Sequence, residues 1–370
     1  MNLQKIKVKK EYQAKVLTTK DSEEWTRIVE KSDTPDIYYT PEYAKIYEET
    51  YGEEIDNDFC GTPILFFYGN EEEFIIIPTI KRDLTTLQFL KNKDIKAFDI
   101  ISPYGYTGPI AKNQNPELKE EFLKSYKKFC QENNIATEFI RFHPILKNHE
   151  PFENLIKVDA RNETVNFDLT KDEETLLKEM NKKTRNLIKK AKKEGVEIKR
   201  STNREDLEIF SKLYLETMSR ANATKKYLFP YKYYKNTVDN LKDNISLFTA
   251  NYKGKIIAVS LFMHKYGFLH YHFSGSDKDY LHLAPNQLLL WEVAKWGKEQ
   301  GFQTFHLGGG LSNDQKDKLF HFKAGFSKGR TRFHTANLTH SEELYEKLCQ
   351  LRKSQSEPEI NQDFFPFYRT

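Results

Sequence analysis

The sequence predicts an α/β (α+β) protein built from two similar domains in tandem. Three observations predict it. Helical and strand patterns alternate along the 370 residues. The order of elements in the first half recurs in the second. The recurrence is far longer than any solenoid unit, so the repeated object is a domain. A chain of this length can bury two cores.

In the second half, helices are expected over residues 206–221 and 231–240. Residues 246–252 and 255–264 alternate or run apolar and flank Lys253-Gly254, the pattern of a hairpin. A third strand, 268–273, follows Tyr266-Gly267. Pro285 suits a first helical position, and Leu288, Leu289, Val293 and Trp296 recur at helical spacing until Gly301. Residues 302–307 read as a strand and 315–323 as a helix. The first half matches: helices at 23–29 and 42–49, strands at 63–68 and 73–80 split by Gly69-Asn70, a helix over 116–132, a strand over 137–142. The boundary is expected in the polar stretch 148–162. It divides the chain into residues 1–155, 156–340 and a C-terminal helix and tail, 341–370.

After the boundary, Thr170 and Glu173 form a capping-box pattern. Leu176, Leu177, Met180, Leu187, Ile188 and Ala191 give one helical face that Gly195 ends. From Lys182 to Arg200 the cations meet only Glu194 and Glu197. This ridge is either a solubilising face or a contact for phosphates of tRNA, of a nucleotide-activated precursor or of an anionic membrane surface.

Composition narrows the class. Aromatic content of 14% argues against disorder despite 30% charged residues, and a net charge of +4 leaves anion attraction to local patches. Cys60, Cys130 and Cys349 have neither metal-ligand spacing nor the number for a disulfide framework. The first residues, MNLQKIKVKKEY, carry no apolar signal core, and no stretch approaches the ~20 apolar residues of a membrane span. A soluble, cytoplasmic protein is expected.

The segment LFHFKAGF, residues 319–326, follows HLGGG, residues 306–310. It sets Lys323 among Phe320, Phe322 and Phe326. A cation in such company is costly to bury unless it meets an anion or a developing negative charge; the alternative is a lysine that snorkels to water. Together with TRNLIKKAKKEGV (184–196), ETMSRANATKKYLF (216–229), YHFSGS (271–276), SPYGYTGP (102–109) and RFHPIL (141–146), these motifs resemble the Fem family of peptidoglycan-bridge aminoacyltransferases. They also resemble the broader FemAB-like branch of the GNAT superfamily. The likeness covers roughly residues 38–335. It implies two tandem GNAT-like domains, each a mixed central sheet flanked by helices, with the acceptor bound by the first and the donor and catalysis in the second. It places Lys323 at the donor carbonyl or the donor's terminal phosphates, and Arg185 where the family has an arginine. Arg220 and Tyr227 match positions that contact the acceptor, although Arg220 could simply cap its helix. No cofactor is expected.

Other candidates come from the residues themselves. Tyr271 and His272 lie on opposite faces of the central strand, and either could handle a proton, His272 being better matched to neutral pH. His270 and His272 share a face and could form a metal pair with His264 or His306, but no carboxylate sits at a convincing spacing, so no metal is expected. In SPYGYTGP, Gly105 would bring backbone amides close to a ligand while Tyr104 and Tyr106 stack on a base or sugar; a tight turn with core tyrosines is the plainer alternative. Arg141 and His143 end the following strand, where Arg141 could take a phosphate or carboxylate bidentately.

A CoA-using GNAT domain carries a pyrophosphate loop of the form Gln/Arg-x-x-Gly-x-Gly/Ala after its central strand. Here SGSDKDYLHLAPNQ, residues 274–287, has one glycine, and Pro285 removes an amide from the helix start. This moves the expected donor from acyl-CoA towards aminoacyl-tRNA. The expected function is amide-forming transfer of an aminoacyl or acyl group to an amine of a nucleotide- or lipid-linked cell-envelope precursor, with peripheral membrane contact through the basic ridge and no DNA partner. The alternatives are an acyl-CoA-dependent N-acyltransferase acting on an amino sugar or surface-polysaccharide precursor, and a non-catalytic RNA- or nucleotide-binding protein.

Overall fold

A single mixed sheet runs through both halves of the chain. The computed structural model describes residues 11–51, 59–113, 115–224, 227–311, 316–355, 361 and 363–370. The first ten residues, Lys225, Lys226 and Gln315, each within a sequence-based expectation, lie outside them. The first half runs β1 (Gln13–Thr18), α1 (Ser22–Lys31), α2 (Pro41–Tyr51), β2 (Thr62–Gly69), β3 (Phe74–Asp83), β4 (Phe98–Ile101), β5 (Ile110–Lys112), α3 (Pro116–Glu132) and β6 (Ile135–Arg141). The second continues with β7 (Asp159–Asp168), α4 (Glu173–Glu179), α5 (Lys182–Lys193), β8 (Glu197–Ser201), α6 (Glu205–Arg220) and α7 (Tyr231–Leu241). It ends with β9 (Ile245–Tyr252), β10 (Lys255–Lys265), β11 (Phe268–Ser276), α8 (Pro285–Glu299), β12 (Thr304–Gly309), α9 (Lys318–Ala324), β13 (Gly329–Thr339) and α10 (Glu342–Lys353).

Two helices, a three-stranded meander, a crossover helix and a parallel strand appear in each half, as the repeat in the sequence predicts. The halves are fused, however. The strand order is β1-β2-β3-β4-β6-β13-β7-β12-β11-β10-β9-β8, with β5 beside β3. The C-terminal strand β13 is antiparallel to β6 on one side (Thr335 opposite Arg141) and to β7 on the other (Gly329 opposite Asn166). Among the described strands, β4–β6 and β11–β12 pair in parallel. The polar composition of β13, GRTRFHTANLT, hid it from a reading based on apolar alternation.

Local chemistry explains the elements. Asn115 accepts the Leu118 N–H at 2.8 Å and Pro116 opens α3. Lys253 and Gly254 both take positive φ, the turn a two-residue hairpin needs. The single helix expected over 173–195 is two helices. Met180 is extended, and the Asn181 side chain accepts the Thr184 N–H at 2.7 Å, starting α5 afresh. Asp172, not Thr170, caps α4, because Thr170 is held by Asp168. An asparagine satisfies a new helix start better than it continues an old one.

α2 and α7 pack against each other across the two halves. Tyr47 Oη lies 3.4 Å from Tyr233 Oη, and Asn236 donates to Thr50 Oγ1 at 3.1 Å. Aromatic residues of α1, α2, α6 and α7, including Trp25, Tyr47 and Tyr233, form one core with Phe273 of β11. On the other side of the second half, Leu289, Trp291 and Phe305 pack with α4 and α5. α6 lies so close on β11 that a Cβ at Gly275 would stand 2.4 Å from the Tyr214 nitrogen. Gly275→Ala is therefore expected to lower unfolding free energy by about 1–3 kcal/mol in urea titration. A loss too small to measure would show that α6 is free to move off the strand.

Candidate active site between the halves

β11 and β12 hydrogen-bond only from Phe268 to His270 and from Thr304 to His306, and no pairing continues beyond. Lys323 of α9 sits at this opening. Asp317 caps α9 by accepting the Phe320 N–H, which fixes the helix and sends Lys323 inward. The ammonium donates to Gly309 O at 2.7 Å and lies 5.8 Å from the Tyr271 ring. A Cβ at Gly308 would stand 3.3 Å from Nζ and 3.9 Å from the Tyr106 hydroxyl, so this glycine keeps the approach open. Burial pulls the Lys323 pKa down to about 8, against the opposing charge of Asp317. The snorkelling alternative does not hold: Lys323 is buried.

The loop 102–109 comes from the first half to the same opening. Its Tyr104 carbonyl accepts from the hydroxyls of Tyr43 and Tyr47. Gly105 has φ of 104°, and a Cβ there would meet the Tyr38 ring at 2.4 Å. The Tyr104 ring stacks on Phe273, with Tyr227 and His272 at its edges. Tyr106 packs against His306, Phe333 and Tyr38. The Arg141 guanidinium lies 5.7 Å from the Tyr104 ring and 5.6 Å from Phe333, and its buried Nε has no hydrogen-bond partner. The fold thus gathers Tyr104, Gly105, Tyr106, Arg141, His143, Tyr227, Tyr271 and Lys323 around the interface of the halves.

Two other candidates make hydrogen bonds within the chain. Arg185 donates to the carbonyls of Leu177 and Met180, closing the end of α4. Arg220 donates to Thr217 Oγ1 at 2.9 Å and Ser276 O at 2.7 Å, tying its helix end to β11. His272 has an unpartnered, buried Nε2, and burial, with a smaller contribution from His270, pulls its pKa to about 3. At neutral pH it is a feeble proton acceptor.

Sequence reasoning missed Asp36. This carboxylate is fully buried, accepts the Tyr38 N–H on Oδ1 at 3.0 Å, and meets two imidazoles with Oδ2: His270 Nε2 at 2.9 Å and His143 Nε2 at 3.4 Å. His143 belongs to the first half and His270 to the second. Burial alone would raise the Asp36 pKa, but His270 and His143 outweigh it and hold the carboxyl well below its usual range. The one signal was an acid beside the tyrosines of DIYYTPEY.

Asp36, His143 and His270 bring three ligand atoms within 4.8 Å, a set that suits zinc by chemistry. The hydrogen bonding does not suit it. His143 Nδ1 accepts the Leu146 N–H at 3.2 Å, so the proton of the neutral ring sits on Nε2, which then has no lone pair for a metal. His149, Glu153 and His334 form a second set, but the two imidazoles stack face to face at 3.6 Å, and their lone pairs cannot converge on one ion.

Burial depresses the pKa of His264 to about 4 and of His272 to about 3. The unfolded chain takes up these protons below about pH 6.5 while the folded chain does not. Stability is therefore full above about pH 6.5 and is lost as pH falls towards 4 and 3. The melting temperature should drop between pH 7 and pH 5, and His272→Phe should reduce that drop. An unchanged melting temperature over this range would contradict the burial of neutral imidazoles.

Residues 178–323 match the family model described as an acetyltransferase (GNAT) domain. The chain is similar in structure to FemX at a TM-score of 0.66 and 14% identity, covering 90% of this chain and 99% of that one. It is also similar to L-PGS from Bacillus licheniformis (TM-score 0.50, 15% identity, 85% and 91% covered). A third likeness is to the C-terminal domain of a putative lysylphosphatidylglycerol synthetase from Agrobacterium fabrum (TM-score 0.50, 14% identity, 86% and 91% covered). No curated protein matches the chain by sequence. No described helix is long and apolar enough to cross a membrane. The element order, the parted β11–β12 pair and these likenesses agree: residues 178–323 match a GNAT domain model, and the chain as a whole shares its fold with FemX.

Proposed function

We propose that the protein joins an aminoacyl or acyl group to an amine of a cell-envelope precursor, forming an amide. The observation that carries this reading is the buried Lys323 ammonium at the opening between β11 and β12, facing residues from the other half of the chain. When the acceptor amine attacks the donor carbonyl, negative charge develops on the carbonyl oxygen. A cation already stripped of water stabilises that charge without reorganisation, an effect worth roughly 3 kcal/mol. Residues 1–155 would hold the acceptor through Tyr104, Tyr106 and Arg141; residues 156–340 would hold the donor and Lys323. Tyr271 would carry the ammonium on its ring face.

The donor we favour is aminoacyl-tRNA. The segment after β11 is a 3-10 turn running into α8 through Ala284 and Pro285, with none of the glycine-spaced amides that cradle a pyrophosphate. The name of the lysylphosphatidylglycerol synthetase relative records an aminoacyl product, which supports the same choice. The basic ridge is narrower than its sequence suggests. Lys190 donates to His282 O, and Lys192 pairs with Glu292 at 2.8 Å, whereas the exposed Lys182, Lys183, Lys189 and Lys193 make no ion pair among the described residues.

Transfer of a labelled amino acid from aminoacyl-tRNA to an amine acceptor tests the proposal, with acetyl-CoA as the competing donor. No thermal shift is expected at millimolar CoA, whereas tRNA binding should weaken steeply with salt, and neutralising the four exposed lysines should flatten that slope. Saturable acetyl-CoA binding with acetyl transfer would overturn the choice of donor. Because the Lys323 pKa is about 8, kcat/KM should fall as pH rises through about 8. A rise through the same pH would instead make neutral Lys323 a proton acceptor.

A further inference from the structure

Tyr106 is held rigidly, yet its hydroxyl makes no hydrogen bond among the described residues. The next residue, Thr107, is fully buried and locked. Its N–H donates to Arg141 O at 2.7 Å and its hydroxyl to Ser102 Oγ at 2.7 Å, while its carbonyl accepts from Tyr39 at 2.7 Å and Asn148 at 2.8 Å. The preceding Gly105 is pressed against the Tyr38 ring. The Tyr106 ring itself packs among Tyr38, His143, His306 and Phe333, at centroid distances of 5.3 to 6.0 Å. A tyrosine hydroxyl enclosed this far normally finds a partner. What this one faces is the space over Gly308. A Cβ there would stand 3.3 Å from Lys323 Nζ and 3.9 Å from the Tyr106 hydroxyl oxygen, and no other described heavy atom outside the flanking residues lies within 4 Å. Lys323 donates to Gly309 O, and an ammonium carries three N–H donors. Burial raises the Tyr106 pKa above its ordinary value, with Arg141 opposing, so the phenol is protonated at neutral pH.

An open space bordered by two fixed hydrogen-bond donors is suited to an oxygen on which negative charge develops. We propose that the Tyr106 hydroxyl is the second donor of an oxyanion site shared between the halves, with the carbonyl oxygen of the acyl group resting over Gly308 between Tyr106 and Lys323. The inference rests on the proposed transfer reaction and adds a residue to its chemistry. The lone pair of the acceptor amine forms the C–N bond, and the carbonyl π pair moves onto oxygen. Lys323 and Tyr106 donate hydrogen bonds to that oxygen and keep their protons. When the C=O bond re-forms, the C–O bond of an ester, or the C–S bond of a thioester, breaks. The leaving atom takes the bonding pair and the proton that the amine loses. Because Tyr106 belongs to the first half and Lys323 to the second, the site is complete only while the halves stay in register.

Single-turnover transfer by Tyr106→Phe tests the inference. Labelled aminoacyl-tRNA and acetyl-CoA serve as alternative acyl donors, and a nucleotide-linked peptide bearing a primary amine as acceptor. The substitution keeps the ring and removes one oxygen that bonds nothing in the described chain, so the melting temperature should hold. The chemical step should slow by about 100-fold, with the acceptor KM within about twofold. Combined with Lys323→Met, the loss should fall far short of the product of the two single losses, because both groups serve one oxygen. A residue that only positioned the acceptor would raise its KM, and its loss would multiply with that of Lys323→Met. Either result overturns the proposal, as does a rate within about threefold of the unsubstituted protein. Absence of transfer by the unsubstituted protein from both acyl donors would overturn the transfer reading itself, and this assignment with it.

Discussion

A lysine ammonium buried beside two glycines is costly, and much of the architecture can be read as the means of keeping it there. Three short-range features hold Lys323 in place: the Asp317 cap on α9, the Gly309 carbonyl that accepts from Nζ, and the Tyr271 ring beneath it. None of them neutralises it as a close carboxylate would. Asp317 opposes the effect of burial without cancelling it, and the proton is held less tightly than on a solvated lysine. A site that leaves a cation under-compensated is built for negative charge that arrives later, with substrate or in the transition state.

The second requirement is that the first half stay registered over this lysine. Two devices serve it. β13 stitches β6 to β7, so the sheet does not break between the halves. Asp36 then ties His143 of one half to His270 of the other through a single carboxylate oxygen, deep in the interface. The turn that begins at Asp36 also presents Tyr38 to Gly105, which seats the loop 102–109. Removing the carboxylate from beside two buried imidazoles is more damaging than the net worth of its one hydrogen bond suggests, because the His270 ring stays buried without water. The bridge therefore specifies alignment more than it adds stability.

Much of this was legible in the sequence. Pro116, Pro285, Gly254 and Gly69 marked element boundaries through local chemistry, and the strands and helices they bound are present. Lys323 stood out because apolar neighbours at a lysine are an anomaly, and its side chain is buried. What stayed hidden was long-range. β13 pairs with strands from both halves, and its polar residues carry no alternation to reveal it. Asp36 lies more than a hundred residues from His143, and nothing local announces a buried carboxylate. Arg185 and Arg220, which the resemblance marked as binding residues, have guanidinium groups that hold helix ends, the alternative the sequence already offered for Arg220. Met180 looked like the middle of a helical face because periodicity does not see that Asn181 caps a new helix.

The central claim is that the Lys323 charge drives transfer. Single-turnover transfer by Lys323→Met, compared with the unsubstituted protein at matched folding stability, tests it most directly. The account predicts a loss of 100-fold or more in the rate of the chemical step, consistent with removal of about 3 kcal/mol of transition-state stabilisation. Donor and acceptor affinities should change little. Lys323→Arg should not restore the rate, since a planar fork does not replace a point charge between two glycines. A Lys323→Met protein that retained more than about a tenth of the rate would contradict the account.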